Sequence, residues 1–141
     1  MTPREAADRL FNRVMTAVST NDSTEVMNFL PMAIRAYELV DPLDADGTFH
    51  LSMLHLTATL DAEGLADAEA ILEEQPDHLL GLAAAADASL ALGDTASART
   101  YFTRWLDVYD VEMAKDVPEY RDHTQMIPGM RARAEALAGN D

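Results

Sequence analysis

The stretch from Pro76 to Tyr109 constrains this chain more than any other part of it. A proline opens it, and an apolar helix carrying Leu79, Leu82, Ala85, Ala86 and Ala88 leads into the turn Leu92-Gly93-Asp94. A second helix follows, with Ala98, Phe102, Trp105 and Leu106 at the three- and four-residue steps of one helical face. Such a hairpin cannot bury its apolar faces alone and demands neighbours. Pro42 closes an earlier unit as Pro76 closes the next, and the two prolines lie 34 residues apart. That internal period predicts a stack of helix pairs.

The rest of the chain reads as helix as well. Over residues 3–19, Ala7, Leu10, Phe11, Val14, Ala17 and Val18 share one face, and Pro3 sits in the first turn, where its missing N–H costs nothing. The cluster Ser19-Thr20-Asn21-Asp22-Ser23 ends that helix and supplies caps for the next. A helix over about 24–40 contains Pro31, which is expected to kink or split it. The next, about 46–59, is apolar on more than one face and so is expected to be buried or covered. Helices over about 62–75, from Thr95 to about Ala114, and from Pro118 to about Leu137 complete the count, the last interrupted at Pro128-Gly129. Tyr120, Ile127, Ala134 and Leu137 are its expected contacts, and the tail Gly139-Asn140-Asp141 is expected to fray.

Composition narrows the function. The 141 residues are one domain's worth, rich in Leu and Ala, with no apolar run long enough to cross a bilayer and no signal-like opening segment. Cysteine is absent, which excludes thiolate chemistry and leaves cytoplasm and periplasm both open. A net charge of −15 repels nucleic acid and anionic lipid, both of which need a basic patch. The same acidity either keeps the chain soluble or draws in a basic partner segment.

The unit from Pro76 onward resembles a tetratricopeptide repeat, through Gly93-Asp94 at the turn, Ala98 and Phe102 in the second helix, and the closing prolines. The resemblance implies an all-α, right-handed stack of about seven helices: repeats over 3–42, 45–76 and 78–110, and a capping helix over 117–138, in one domain of 1–141. The family's early aromatic is Leu82 here, its glycine is Ala86, and its tyrosine is Ser89, or His55 in the middle unit. These changes keep the alternation of small and large residues. Known members cradle a peptide or helix on a concave face formed by the first helix of each repeat. By that resemblance the lining is Phe11 and Met15, then Phe49, Met53 and Leu56, then Leu80, Ala83 and Asp87. It lacks the Lys and Arg ring with which similar domains clamp a peptide's terminal carboxylate. An apolar lining with Met at its centre suits an amphipathic helix or hydrophobic segment.

Other chemistry finds little footing. Asp41-Pro42-Leu43-Asp44-Ala45-Asp46-Gly47 resembles a calcium loop faintly, but Pro42 and Met53 occupy positions that need acids, so the stretch reads as a turn and N-cap from Asp44 or Asp46. His50 and His55, five residues apart, point to different faces, while His78 and His123 have no readable partners and suit capping or the surface. No nucleophile elbow, phosphate loop or metalloprotease helix is present. The expectation is therefore a non-catalytic protein-interaction module with no metal and no cofactor. Its partner side chains are Phe11, Met15, Phe49, Met53, Leu56, Leu80 and Asp87, with Asp87 orienting a basic partner. A self-associating homodimer that uses up the groove, a groove filled by the last helix, and a small-ligand binder are the rival readings.

Overall fold

The computed structural model describes residues 1–138 and arranges them as eight helices, with no strand among the described residues. They are α1 (Pro3–Ser19), α2 (Ser23–Glu38), α3 (Ala45–Thr57), α4 (Asp61–Glu74), α5 (Leu79–Ala91), α6 (Thr95–Met113), α7 (Pro118–Asp122) and α8 (Ile127–Ala138). The tail expected to fray, 139–141, lies outside the described residues. Helices α1 and α2, α3 and α4, and α5 and α6 pair as hairpins; α2 meets α3, α4 and α3 meet α5, and α8 packs on α6. The all-α stack of helical hairpins is the architecture that the internal period implies.

One turn geometry repeats in all three hairpins. In each, a residue with positive φ follows the first helix: Asn21 (56°), Thr59 (59°) and Gly93 (82°). The amide after it reaches back to close the helix end, Asp22 to Ala17 O at 2.9 Å, Leu60 to His55 O at 2.8 Å, and Asp94 to Ser89 O at 2.8 Å. This satisfies carbonyls that a helix end otherwise leaves unpaired. Asp22 and Asp94 then cap the second helix, accepting from Glu25 N and Ser97 N. The middle hairpin has the same backbone path with poorer residues. Leu60 occupies the cap position with φ −93° and ψ 69°, close to −95° and 77° at Asp94, and offers no side-chain bond. A β-branched residue at positive φ and an uncapped helix each cost about 1 kcal/mol. The double substitution Thr59→Gly, Leu60→Asp is therefore expected to raise the unfolding free energy by about 2 kcal/mol, measured by urea denaturation. An unchanged midpoint would mean that the repeated turn geometry carries no energetic weight.

Two proline expectations are revised. Pro31 neither splits nor ends α2, which runs unbroken from Ser23 to Glu38. Pro31 is exposed, and the carbonyl it leaves without a helical partner belongs to Met27, also exposed, so the missing bond falls on the solvent side of the helix. The last segment breaks earlier than Pro128-Gly129. Helix α7 stops at Asp122, and Pro128 falls in the first turn of α8, where a missing N–H removes no bond. The terminal helix is thus two helices, which makes eight instead of about seven.

The core explains why α3 and α5 read as apolar on several faces. Ten of the thirteen residues of α5 are buried, because it lies against α3, α4 and α6. Its run Ala83 to Ala86 presents little side-chain bulk to these neighbours. Two apolar clusters meet at α3: one joins it to α1 and α2 through Phe11, Val14, Tyr37 and Leu54, the other runs from Phe49 through α5 and α6 to Tyr120, Ile127, Met130 and Ala134. Tyr120, Ile127 and Ala134 are buried against the stack as expected, and Leu137 is partly so.

Candidate functional site on the concave face

The first helices of the three hairpins, α1, α3 and α5, carry all seven residues that the sequence nominates for partner binding. Their exposure divides them. Phe11, Phe49 and Leu80 are at most 3% exposed and belong to the core, whereas Met15, Met53, Leu56 and Asp87 retain partial exposure. Phe11 and Phe49 still form the floor of clefts, while Leu80 packs wholly within the core.

The C-terminal segment crosses this face and packs on Phe49, while Tyr37 and His50 cover Phe11. Helix α7 is fastened at the start of α5: the Tyr120 hydroxyl accepts from the Leu79 amide at 3.0 Å and donates to Glu112 Oε1 at 2.7 Å. His78 caps α5 by accepting from Gly81 N, and its Nε2 lies 2.9 Å from Glu119 Oε2 on α7. Burial, then the Glu112 carboxylate, pushes the Tyr120 hydroxyl well above its ordinary pKa, so it stays protonated and able to donate. The turn after α7 brings His123 against α3, and Arg133 of α8 grips Asp87 through two bonds of 3.1 and 2.9 Å. Asp87 therefore serves an internal pair instead of standing free for a partner. Burial raises its carboxyl pKa, with Arg133 pulling the other way.

Two clefts remain on either side of this crossing. One of about 280 Å³ lies between α3, α5 and α8, with Phe49, Met53, Leu56, Ala83, Met126 and Met130 among its walls and Asp87 and Arg133 at its rim. The other, about 390 Å³, separates Phe11, Asn12 and Met15 from the segment Arg121 to Met126. A larger cleft of about 630 Å³ lies away from the nominated residues, between α4 and α6, and mixes Leu72 and Leu82 with Glu69, Glu73 and Arg104. The 280 Å³ cleft is slightly smaller than the roughly 300–1,000 Å³ usual for small-molecule pockets. It has room for anchoring side chains.

A polar network joins α1, α2 and α3 to the turn between α7 and α8. Arg4 of α1 reaches Asp8 through Nε at 2.9 Å, Asp44 through Nη1 at 2.7 Å and Asp46 through Nη2 at 2.9 Å. Asp44 caps α3 by accepting from Gly47 N, so the calcium-like stretch is a turn and cap, as its residues suggest. The Tyr37 hydroxyl donates to Asp8 Oδ1 at 2.5 Å and lies 2.8 Å from His50 Nδ1. His50 Nε2 is 3.0 Å from His123 Nε2, which is 2.8 Å from Asp46 Oδ1. Burial lowers the His50 pKa and favours the neutral ring. Burial alone would raise Asp46, yet His123, His50 and Arg4 together hold its carboxyl below the usual range.

His123 was missed as anything but a capping or surface residue. It is buried, and its partner His50 is 73 residues away, a separation no spacing rule reaches. The readable half of the signal was Asp46 and His50, four apart and hence on one helical face. His55, pointing elsewhere as expected, ties α3 to α4 through Asp67 Oδ2 at 2.6 Å.

The stacked hairpins, with the C-terminal segment laid against their first helices, make an all-α fold of the tetratricopeptide-like kind. No family model and no curated protein sequence matches the chain. Among solved structures it is similar to PcrH from Pseudomonas aeruginosa, with a TM-score of 0.63 and 16% identity over 96% of this chain and 90% of that one. It is also similar to PcrH in complex with the chaperone binding region of PopB, with a TM-score of 0.61 and 16% identity over 94% of each chain. At this identity the likeness is one of fold.

Proposed function

We propose that this chain is a non-catalytic docking module that takes apolar side chains of a protein partner into the cleft between α3, α5 and α8. The observation that carries the reading is the lining of that cleft by Phe49, Met53, Leu56, Ala83, Met126 and Met130, on the face that tetratricopeptide-like domains use. Three methionines give walls that adjust to a partner's shape. The cleft's volume suits one or two anchor residues of a peptide or helix, which is how helix-in-groove recognition works. The likeness to PcrH bound to a segment of PopB supports a peptide partner in the same coarse sense. A net charge of −15 favours a basic segment and faster encounter at low salt. Met15, beside Phe11, extends the same surface toward α1.

The test is a displayed peptide library panned against the chain, with calorimetry on the enriched peptides. Apolar residues at helical spacing are expected among them, and Met53→Asp is expected to weaken binding by about 30-fold, the scale of a single hot-spot residue. Equal affinity of wild type and Met53→Asp would sink the cleft as the site. A mass by light scattering that doubles with concentration and falls back in Met53→Asp would assign the same cleft to a second copy of the chain.

A further inference from the structure

We infer that Asp46, His50 and His123 form a binding site for one divalent transition-metal ion, with zinc the best fit to the ligand set. The three atoms Asp46 Oδ1, His50 Nε2 and His123 Nε2 converge at separations of 2.8, 3.0 and 3.4 Å. Around a tetrahedral ion with bonds of about 2.0–2.1 Å, ligand atoms lie roughly 3.3 Å apart. The cluster thus needs to open by only a few tenths of an ångström to admit an ion. Both imidazoles are more than nine-tenths buried, so the donors are already withdrawn from water and aimed at one point.

The hydrogen-bond pattern leaves a lone pair on His50 Nε2 facing the cluster. Tyr37 has one hydroxyl proton and gives it to Asp8, so its oxygen accepts from His50 Nδ1–H. That fixes His50 in the tautomer whose Nε2 carries a lone pair facing the cluster. His50 Nδ1 also lies 3.3 Å from Asp8 Oδ1, the carboxylate–histidine arrangement that orients metal ligands. The Phe11 ring stacks on His50 at 4.0 Å, and the Phe49 ring meets His123 edge-on at 5.2 Å, which holds both ligands in place. A single N–H on His123 Nε2 is shared between His50 Nε2 and Asp46 Oδ1. As an ion takes the Nε2 lone pair, that hydrogen leaves and a proton joins Nδ1 of the same ring, so His123 binds as a neutral imidazole. Charge favours the exchange: Arg4 is one cation among three carboxylates, and it occupies Oδ2 of Asp46, leaving Oδ1 for the ion. Three protein ligands leave one position for water.

The site joins α3 to the turn between α7 and α8, two segments 77 residues apart. An ion there fastens the C-terminal segment across the concave face, beside the 390 Å³ cleft. This assignment does not depend on the groove taking a peptide.

The experiment is titration of the chelator-treated full chain with Co²⁺, followed by visible absorption, with Zn²⁺ as competitor. One Co²⁺ per chain with the intense bands of low-coordinate cobalt is expected, displaced by Zn²⁺. His123→Ala is expected to weaken binding by at least about 100-fold, while Glu73→Gln, on the exposed part of α4, leaves it unchanged. Zn²⁺ at 100 times its Kd is expected to raise Tm by about 5–10 °C. Featureless binding that His123→Ala and wild type share would mean adventitious attraction to an acidic surface, and would overturn the assignment. A measurement free of any folding defect in the variants is NMR of the wild type: Zn²⁺ shifts the imidazole signals of His50 and His123 and leaves those of His55 and His78 in place. Equal shifts at all four histidines, or none, would also overturn it.

Discussion

Trp105→Ala is expected to lower the unfolding free energy by about 3–5 kcal/mol, measured by urea denaturation followed through circular dichroism. Trp105 is fully buried in the cluster that joins α5, α6 and α8, and its ring stacks on Tyr109 at 5.0 Å. Removing it loses the burial of a large aromatic and leaves a cavity that helices on three sides cannot collapse into. Its Nε1 makes no hydrogen bond among the described residues, so the loss is one of packing alone. Trp105→Phe is accordingly expected to cost much less, since it keeps most of the ring and removes an unpaired buried donor. Equal costs for the two variants would mean that the indole's polar atom matters more than its bulk. A domain of this size is stable by only about 5–15 kcal/mol, so Trp105→Ala removes roughly a fifth or more of the total.

The second large effect is Tyr120→Phe, where one oxygen atom holds two elements. Its hydroxyl satisfies the Leu79 amide, one of the unpaired N–H groups at the start of α5, and donates to the buried Glu112 carboxylate. Deleting it orphans a buried donor, at about 1–3 kcal/mol, and takes a charge-assisted bond from Glu112. Glu112 keeps its bond to Lys115, which limits the damage. The expected loss is about 3 kcal/mol. Because α7 is fastened to the stack mainly here and at Glu119, the variant is also expected to open the turn between α7 and α8 to protease faster than the hairpin turns. Cleavage sites read by mass spectrometry check this. Cleavage spread evenly over all turns would show that the C-terminal segment and the hairpins unfold together.

Much of the architecture was legible in the residues because helix faces are local. The steps Ala7, Phe11, Val14 and Ala17 in α1, and Ala98, Phe102 and Trp105 in α6, are buried as their spacing implies. Gly93-Asp94 marked one hairpin turn, and the structure shows Asn21-Asp22 and Thr59-Leu60 performing the same backbone path. The sequence places the middle turn at Leu60-Asp61-Ala62-Glu63, without a small-residue pair to mark it, and the structure makes it one residue earlier, at Thr59-Leu60. Pro31 does not split α2, and Pro128 lies in the first turn of α8 instead of interrupting a helix. What a proline costs depends on whether the orphaned carbonyl can reach water and where the helix begins, and neither is written in the local sequence.

The candidate site was legible only in part. The nominated residues do lie on the first helices, but position on a face does not give exposure. The C-terminal segment covers Phe49 and engages Asp87, leaving Met15, Met53 and Leu56 at the open edges. The gathering of His123 with Asp46 and His50 was invisible for the same reason.

Periodicity, caps and the 34-residue spacing of prolines determined by themselves that this chain makes helical hairpins and stacks them, since each hairpin's apolar surface leaves water only against the next. Only the tertiary structure decided what lies against the first helices of the hairpins. Where α7 and α8 settle depends on bonds between residues dozens of positions apart, Tyr120 to Leu79, Arg133 to Asp87 and His123 to Asp46, which no local pattern of residues encodes.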